Sequence, residues 1–188
     1  MKPTLVRCAA LTLLTLIFSA PGWGDDNPGP AATAPDPGQA TTAEEPNRSV
    51  RSVLVYALSQ LGASYRYGGG NTQGFDCSGF VKHVFSHAAD FVLPHSSRAM
   101  SQYGERVPQG DMQPGDLVFF ETHGHHISHV GIYIGNQKFI HASSTKTGVV
   151  MISDLRERYW ARHYASARHL QLGEAPPADI LSAQQSSP

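Results

Sequence analysis

The sequence predicts an α+β domain in which helices pack on an antiparallel sheet of about five or six strands. Three observations predict it. Apolar residues recur at helical spacing from Val50 to Leu61, and again from Cys77 to about Ala89. After Pro114 the pattern changes to short β-branched and aromatic runs separated by turn residues. Helices come first and strands after, which is the order of an α+β chain rather than of alternating βαβ units.

Each element has its own signal. Val50, Val53, Leu54, Ala57, Leu58 and Leu61 form one apolar helical face, and Gly62 stops it. "YRYGGGNTQG" follows as a glycine-rich loop. The second helix places Cys77, Phe80, Val81, Val84, Phe85 and Ala88 on one face. Ser96 can cap a short third helix through about Tyr103. "PGDLVFF", "HVGIYIG", "KFIHAS" and "GVVMIS" read as strands, with "HYASARHL" as a weaker last one.

Outside this block, residues 1–24 read as an export signal. Lys2 and Arg7 precede the uncharged apolar run "CAALTLLTLIFSA", and cleavage is expected after Gly24. The run is shorter than the about 20 apolar residues that span a membrane, so no stable anchor is expected; a retained anchor is the competing reading. Residues 25–48 hold five prolines and almost no large apolar side chain, the composition of a flexible linker. The tail 171–188 is similar. Residues 49–170 remain as one domain of about 120 residues. Without the signal segment, 12 basic residues face 15 acidic ones, a net charge of −3. That excludes the basic footprint of a nucleic-acid binder and of a polybasic membrane-binding protein.

The chain has two cysteines, Cys8 and Cys77, and the first leaves with the signal. An exported protein with one unpaired thiol raises the question of reactivity. Cys77 opens the second helix behind Asp76, which can cap it, and helix N-terminal amides favour a thiolate. A nucleophile needs a base, and the base an orienting partner. Of ten histidines, His83 and His87 point away from the apolar face and read as solvated. His95, His163 and His169 lack a strong context. His129 stands at the mouth of a strand, and His141 follows in the next. If Gly135, Asn136 and Gln137 form a three-residue loop, Ile134 pairs with Lys138 and Gly131 with His141. The two imidazoles are then diagonal neighbours on one face, roughly 7–8 Å apart at the backbone. A two-residue loop would put them on opposite faces.

"GFDCSGFV", "LPHSS", "PGDLVFF", "SHVGIYIGNQKFIHAS" and "GASYRYGGG" together resemble the NlpC-type cell-wall cysteine peptidases, in order across about residues 50–169. The resemblance implies a papain-like fold and an enzyme that hydrolyses peptide bonds of bacterial peptidoglycan through a thioester. It implies Cys77 as nucleophile, His129 as base and His141 as the residue orienting it, with a Cys77–His129 thiolate–imidazolium pair. It further implies that the Tyr65 hydroxyl, with the Cys77 amide, stabilises the oxyanion, and that Asp76 and Ser78 contact the substrate peptide. No cofactor and no metal are implied. The partners are peptidoglycan stem peptides, the chain is expected to act as a monomer, and its place is the periplasm or the exterior. Relatives often carry Arg at His95 and Gln at Met100, which bears on substrate contacts.

Rival readings are a metal site, a non-catalytic wall-binding module, and an amidase or acyltransferase using the same Cys–His pair. His125 and His129 have helical ligand spacing, but Gly124 and the following strand oppose a helix, and no H-E-x-x-H is present. His123, His125 and His126 are therefore read as a polar loop near the cleft, with loops 68–75, 90–98 and 121–127 lining it.

Overall fold

The computed structural model describes residues 44–144 and 148–173, with side chains from residue 49. The expected signal segment, most of the expected linker and nearly all of the tail lie outside the described residues. Helix α1 spans Glu44–Ser59, so residues 44–48 are helix and not linker. Pro46 does not prevent this because the first turn of a helix needs no N–H there. Val53 and Ala57 are fully buried, but Leu58 and Leu61 are exposed. The expected apolar face is cut short because the chain turns at Gly62, whose φ is +82°. Its N–H donates to the Val150 carbonyl at 2.9 Å.

A two-stranded ribbon, β1 Gly70–Asn71 and β2 Gly74–Phe75, leads into helix α2, Cys77–Ala89. The bounds of α2 match the sequence reading because both ends carry signals. Asp76 caps the start, and Asp90 ends it in the left-handed conformation with φ +51°. Helix α3 runs only Ser97–Met100 behind its cap Ser96, stopping short of Tyr103. Met100 is fully buried in the core, so it is a packing residue and no cleft contact.

The strands are β3 Glu105–Val107, β4 Leu117–Phe120, β5 His129–Gly135, β6 Lys138–Ala142, β7 Val150–Asp154 and β8 Tyr164–His169. They form one sheet in the order β3-β8-β4-β5-β6-β7, antiparallel throughout. Helix α4, Arg158–His163, precedes β8. The sequence reading missed α4 and β3. The first is too short for a helical period to show, and the second is a charged, exposed edge of the kind that resists edge pairing.

Alternation divides the sheet into two packed faces. On one, Leu117, Phe119, Val130, Ile132, Ile140 and Val150 meet α1 and α2 through Val53, Ala57, Phe80, Val81, Val84 and Phe85. On the other, Val118, Phe120, Tyr133, Phe139 and Ala167 meet Trp160 of α4 and Leu155. Truncating a fully buried phenylalanine in such a core typically costs about 3–5 kcal/mol.

The β5–β6 hairpin departs from the expected loop. Gly135, not Ile134, pairs with Lys138, and the register shifts between Tyr133 and Gly135. The turn is two residues, Asn136 and Gln137, both at positive φ (54° and 61°), as a type I′ turn requires. A two-residue turn alone would send the two histidines to opposite faces. The bulge at Ile134 adds back the missing residue. Ile132 therefore pairs with Ile140, and Gly131 falls beside His141 as expected. No helix among the described residues is long and apolar enough to cross a membrane.

Candidate active site

The first turn of α2 presents Cys77 beside the mouth of β5. The Asp76 carboxylate organises this turn. It accepts from the Gly79 N–H at 2.7 Å and the Ser78 hydroxyl at 2.9 Å, and its two oxygens lie 3.0 and 3.1 Å from His95 Nε2. A side chain at Gly79 would run into the Gly69 carbonyl and would place a Cβ 2.7 Å from His95 Nε2. Glycine there lets the glycine-rich loop lie flush against the helix start. Asp76 N–H donates to the Gly69 carbonyl at 2.8 Å and closes the arrangement.

The Cys77 thiol faces the strand that carries His129. Its Sγ lies 4.0 Å from the Ser128 carbonyl, and the Val130 amide acts on it from the other side of His129. His129 begins β5 and is buried, 8 % exposed. Its Nε2 lies 2.9 Å from His141 Nδ1, with the two rings edge to face. His141 is fully buried, and its Nε2 lies 3.0 Å from the Ser153 hydroxyl. Trp160 stacks on His129 and meets His141 edge-on, and Phe139 stacks on His141. The histidine pair thus sits in an aromatic box on the α4 face, and His129 lines the same cleft as Cys77.

Burial decides the electrostatics. It pushes the Cys77 thiol up to about 11; the Asp76 carboxylate adds to this, and the amides of Val130, Ser78 and Cys77 oppose it without winning. Burial likewise pushes His129 down to about 4, with the nearby His123 adding to the effect. His141 is held well below the usual histidine range, by burial first and then by His129. Burial thus disfavours the charged forms of the thiol and of both imidazoles. Burial works against the thiolate–imidazolium pair that the resemblance implies, and the amides at the helix start work for it.

Cys77, His129, Tyr65, Asp76 and Ser78 line one cleft of about 500 Å³. Burial and then the charges of Cys77 and Asp76 raise the Tyr65 pKa, which puts its phenol in the electrostatic field of the thiol. Gly68, His95–Ser97 and Thr122–His123 contribute from the three expected loops. Within the histidine-rich loop, Ser128 Oγ accepts from the amides of Thr122 and His123 at 2.9 and 3.0 Å. This turns His123 into the cleft, whereas His125 and His126 are exposed and not part of its lining.

Several residues were misread or missed. His95 has a strong context after all, as the partner of Asp76; only the fold brings residues 76 and 95 together. His83 and His87 are not simply solvated. His83 Nε2 lies 3.0 Å from the Tyr56 hydroxyl, and Tyr56 stacks on His87, which ties α1 to α2. Ser153 and Trp160 gave no sequence signal. No group of three or more metal-ligating side chains gathers among the described residues.

Comparison with known proteins agrees with this geometry. The model of the NlpC/P60 family matches residues 62–169. The chain is 43 % identical over 109 residues to the murein DD-endopeptidase MepS/murein LD-carboxypeptidase of Escherichia coli K12, covering 58 % of this chain and 56 % of that one. It is 42 % identical over 110 residues to the probable endopeptidase NlpC homolog of Haemophilus influenzae, covering 58 % and 57 %. The chain thus spans about half the length of these relatives. Among solved structures, an NlpC/P60 family protein from Bacillus cereus superposes with a TM-score of 0.61 at 29 % identity, over 65 % of this chain and 40 % of that one. The peptidoglycan hydrolase RipB of Mycobacterium tuberculosis gives 0.59 at 28 %, over 70 % and 68 %.

Proposed function

The chain belongs to the NlpC/P60 family, and from that premise we propose that it is a cysteine peptidase that hydrolyses a peptide bond in peptidoglycan. The observation that carries this reading is the position of the Cys77 thiol. It lies 4.0 Å from the Ser128 carbonyl, next to His129 in sequence, and feels the Val130 amide on the other side of that residue in the chain, while His141 takes Nε2 of the base.

The hydrogen bond between the two imidazoles sets the course of the reaction. With Nε2 of His129 bonded to His141, Nδ1 is the nitrogen that takes the thiol proton as Sγ attacks the scissile carbonyl carbon. Charge then appears on imidazole and carbonyl oxygen together, at the moment the substrate has displaced water from the cleft. The Tyr65 hydroxyl and the Cys77 N–H donate to the oxyanion. The imidazolium protonates the leaving amine, the C–N bond breaks, and a thioester remains on Cys77. Water, deprotonated by His129, attacks the thioester, releases a carboxylate and restores the thiol. Asp76, Ser78 and His95 flank the nucleophile where the substrate peptide passes, so they contact its polar groups.

The substrate is a stem peptide or a cross-link between two of them, met in the periplasm or outside the cell after the signal segment is removed. The E. coli relative is named for both a DD-endopeptidase and an LD-carboxypeptidase activity, so both bond types belong in the test. Purified peptidoglycan is digested with the mature chain, and the fragments are identified by mass spectrometry. A new amine and a new carboxylate at one peptide bond support the reading. Intact stem peptides, or transfer of the acyl group to an amine in place of water, refute it.

A further inference from the structure

We propose that Ser153 is a positioning residue of this site: its hydroxyl holds His141 in the Nε2–H tautomer, and His141 in turn keeps His129 unprotonated at Nδ1. The proposal rests on the peptidase reading above.

The placement follows from the sheet. His141 pairs with Met151, and Phe139 with Ser153. Ser153 is therefore the diagonal neighbour of His141 on the same face, two residues along β7. It is buried, 6 % exposed, and its Oγ lies 3.0 Å from His141 Nε2. Among the described residues, the rings of Phe139, Trp160 and His129 pack against the His141 ring. Both ring nitrogens of His141 are thus committed, one to His129 and one to Ser153.

A neutral imidazole carries one N–H, so the chain of hydrogen bonds has two self-consistent directions. In the first, His129 Nε2–H donates to His141 Nδ1, and His141 Nε2–H donates to Ser153 Oγ. His129 then has a bare Nδ1 and can accept the thiol proton. In the second, Ser153 donates to His141 Nε2, His141 Nδ1–H donates to His129 Nε2, and His129 carries its proton on Nδ1. That direction leaves no base facing the thiol. The first direction places a buried N–H on His141 Nε2, and a buried donor needs an acceptor more than a buried acceptor needs a donor. Ser153 supplies it. Removing the hydroxyl tilts the pair toward the second, unproductive direction, because an unbonded ring nitrogen is tolerated there better than an unbonded N–H.

The test labels the full mature chain with ¹⁵N-histidine and reads the tautomers of His129 and His141 by two-bond ¹H–¹⁵N correlation. The chain is compared as wild type, Ser153→Ala and Ser153→Thr, with kcat and KM on a stem-peptide substrate. Wild type is expected to show Nε2–H on both rings. Ser153→Ala is expected to move His129 toward Nδ1–H and to lower kcat by about 10–100-fold with KM nearly unchanged, less than the about 10²–10⁴-fold that general acid–base catalysis supplies because the base itself remains. Ser153→Thr keeps the hydroxyl and should keep both the tautomers and kcat. Nδ1–H on wild-type His141, or wild-type tautomers and kcat in Ser153→Ala, overturns the proposal. If Ser153→Ala does not fold, the wild-type spectrum and Ser153→Thr decide. Nε2–H tautomers in a wild-type chain that cleaves no peptide would overturn the peptidase reading instead.

Discussion

Acid should unfold this domain through its histidine pair, and the structure sets the window. His129 is held near 4 in the folded chain, against about 6.5 for an unperturbed histidine. Between those values the unfolded chain binds a proton that the folded chain refuses. Stability is thus complete above about pH 6.5 and falls as the pH drops toward 4. A difference of about 2.5 pKa units corresponds to on the order of 3 kcal/mol from His129 alone. His141, buried and shifted the same way, adds to the loss. Typical domains have only about 5–15 kcal/mol in total. The assay is urea unfolding of the mature chain at several pH values across the window, with His129→Gln alongside. His129→Gln cannot take up the proton, so the gap between wild type and variant should shrink by about 3 kcal/mol from pH 6.5 to 4. Parallel stability curves for the two proteins would refute the claim that burial holds His129 neutral.

Two further outcomes follow from single side chains. Tyr65→Phe should lower kcat by about 10²–10³-fold with the fold unchanged, if its hydroxyl donates to the oxyanion; steady-state kinetics on a stem peptide checks it, and an unaltered kcat would return Tyr65 to a packing role. Gly131→Ala would place a Cβ 2.6 Å from the Phe139 ring, 3.0 Å from the Ile140 carbonyl and 3.2 Å from His141 Cβ. That overpacking should cost about 1–3 kcal/mol in a thermal or urea melt and also lower kcat by displacing His141, whereas wild-type stability and turnover would show that the ring yields freely.

How much of the site was legible depended on the range of each interaction. Cys77, Asp76 and the bounds of α2 could be read because a cap and an apolar period are local. The pairing of His129 with His141 could be read because a hairpin converts twelve residues of sequence into a near-fixed register. The turn was nevertheless misjudged, since the bulge at Ile134 leaves no mark in the sequence. Its consequence was right because an extra residue in the strand and an extra residue in the loop shift the register equally. His95, Ser153 and Trp160 were illegible for a different reason. Each reaches the site through tertiary packing, His95 across the α2–α3 connection and the other two from β7 and α4. The burial that opposes charge on Cys77 and His129 was illegible for the same reason, since a helix N-terminus is visible in sequence and the depth of burial is not.

The central claim is that Cys77 is the nucleophile of a peptide-bond hydrolase. Its most direct test is turnover of a defined stem peptide by wild type and by Cys77→Ala, with circular dichroism confirming that both fold. Cys77 begins the helix but Asp76 caps it, so the variant should keep its structure. The account predicts hydrolysis at one peptide bond by wild type and none above background by Cys77→Ala. Equal product from the two folded proteins would contradict it.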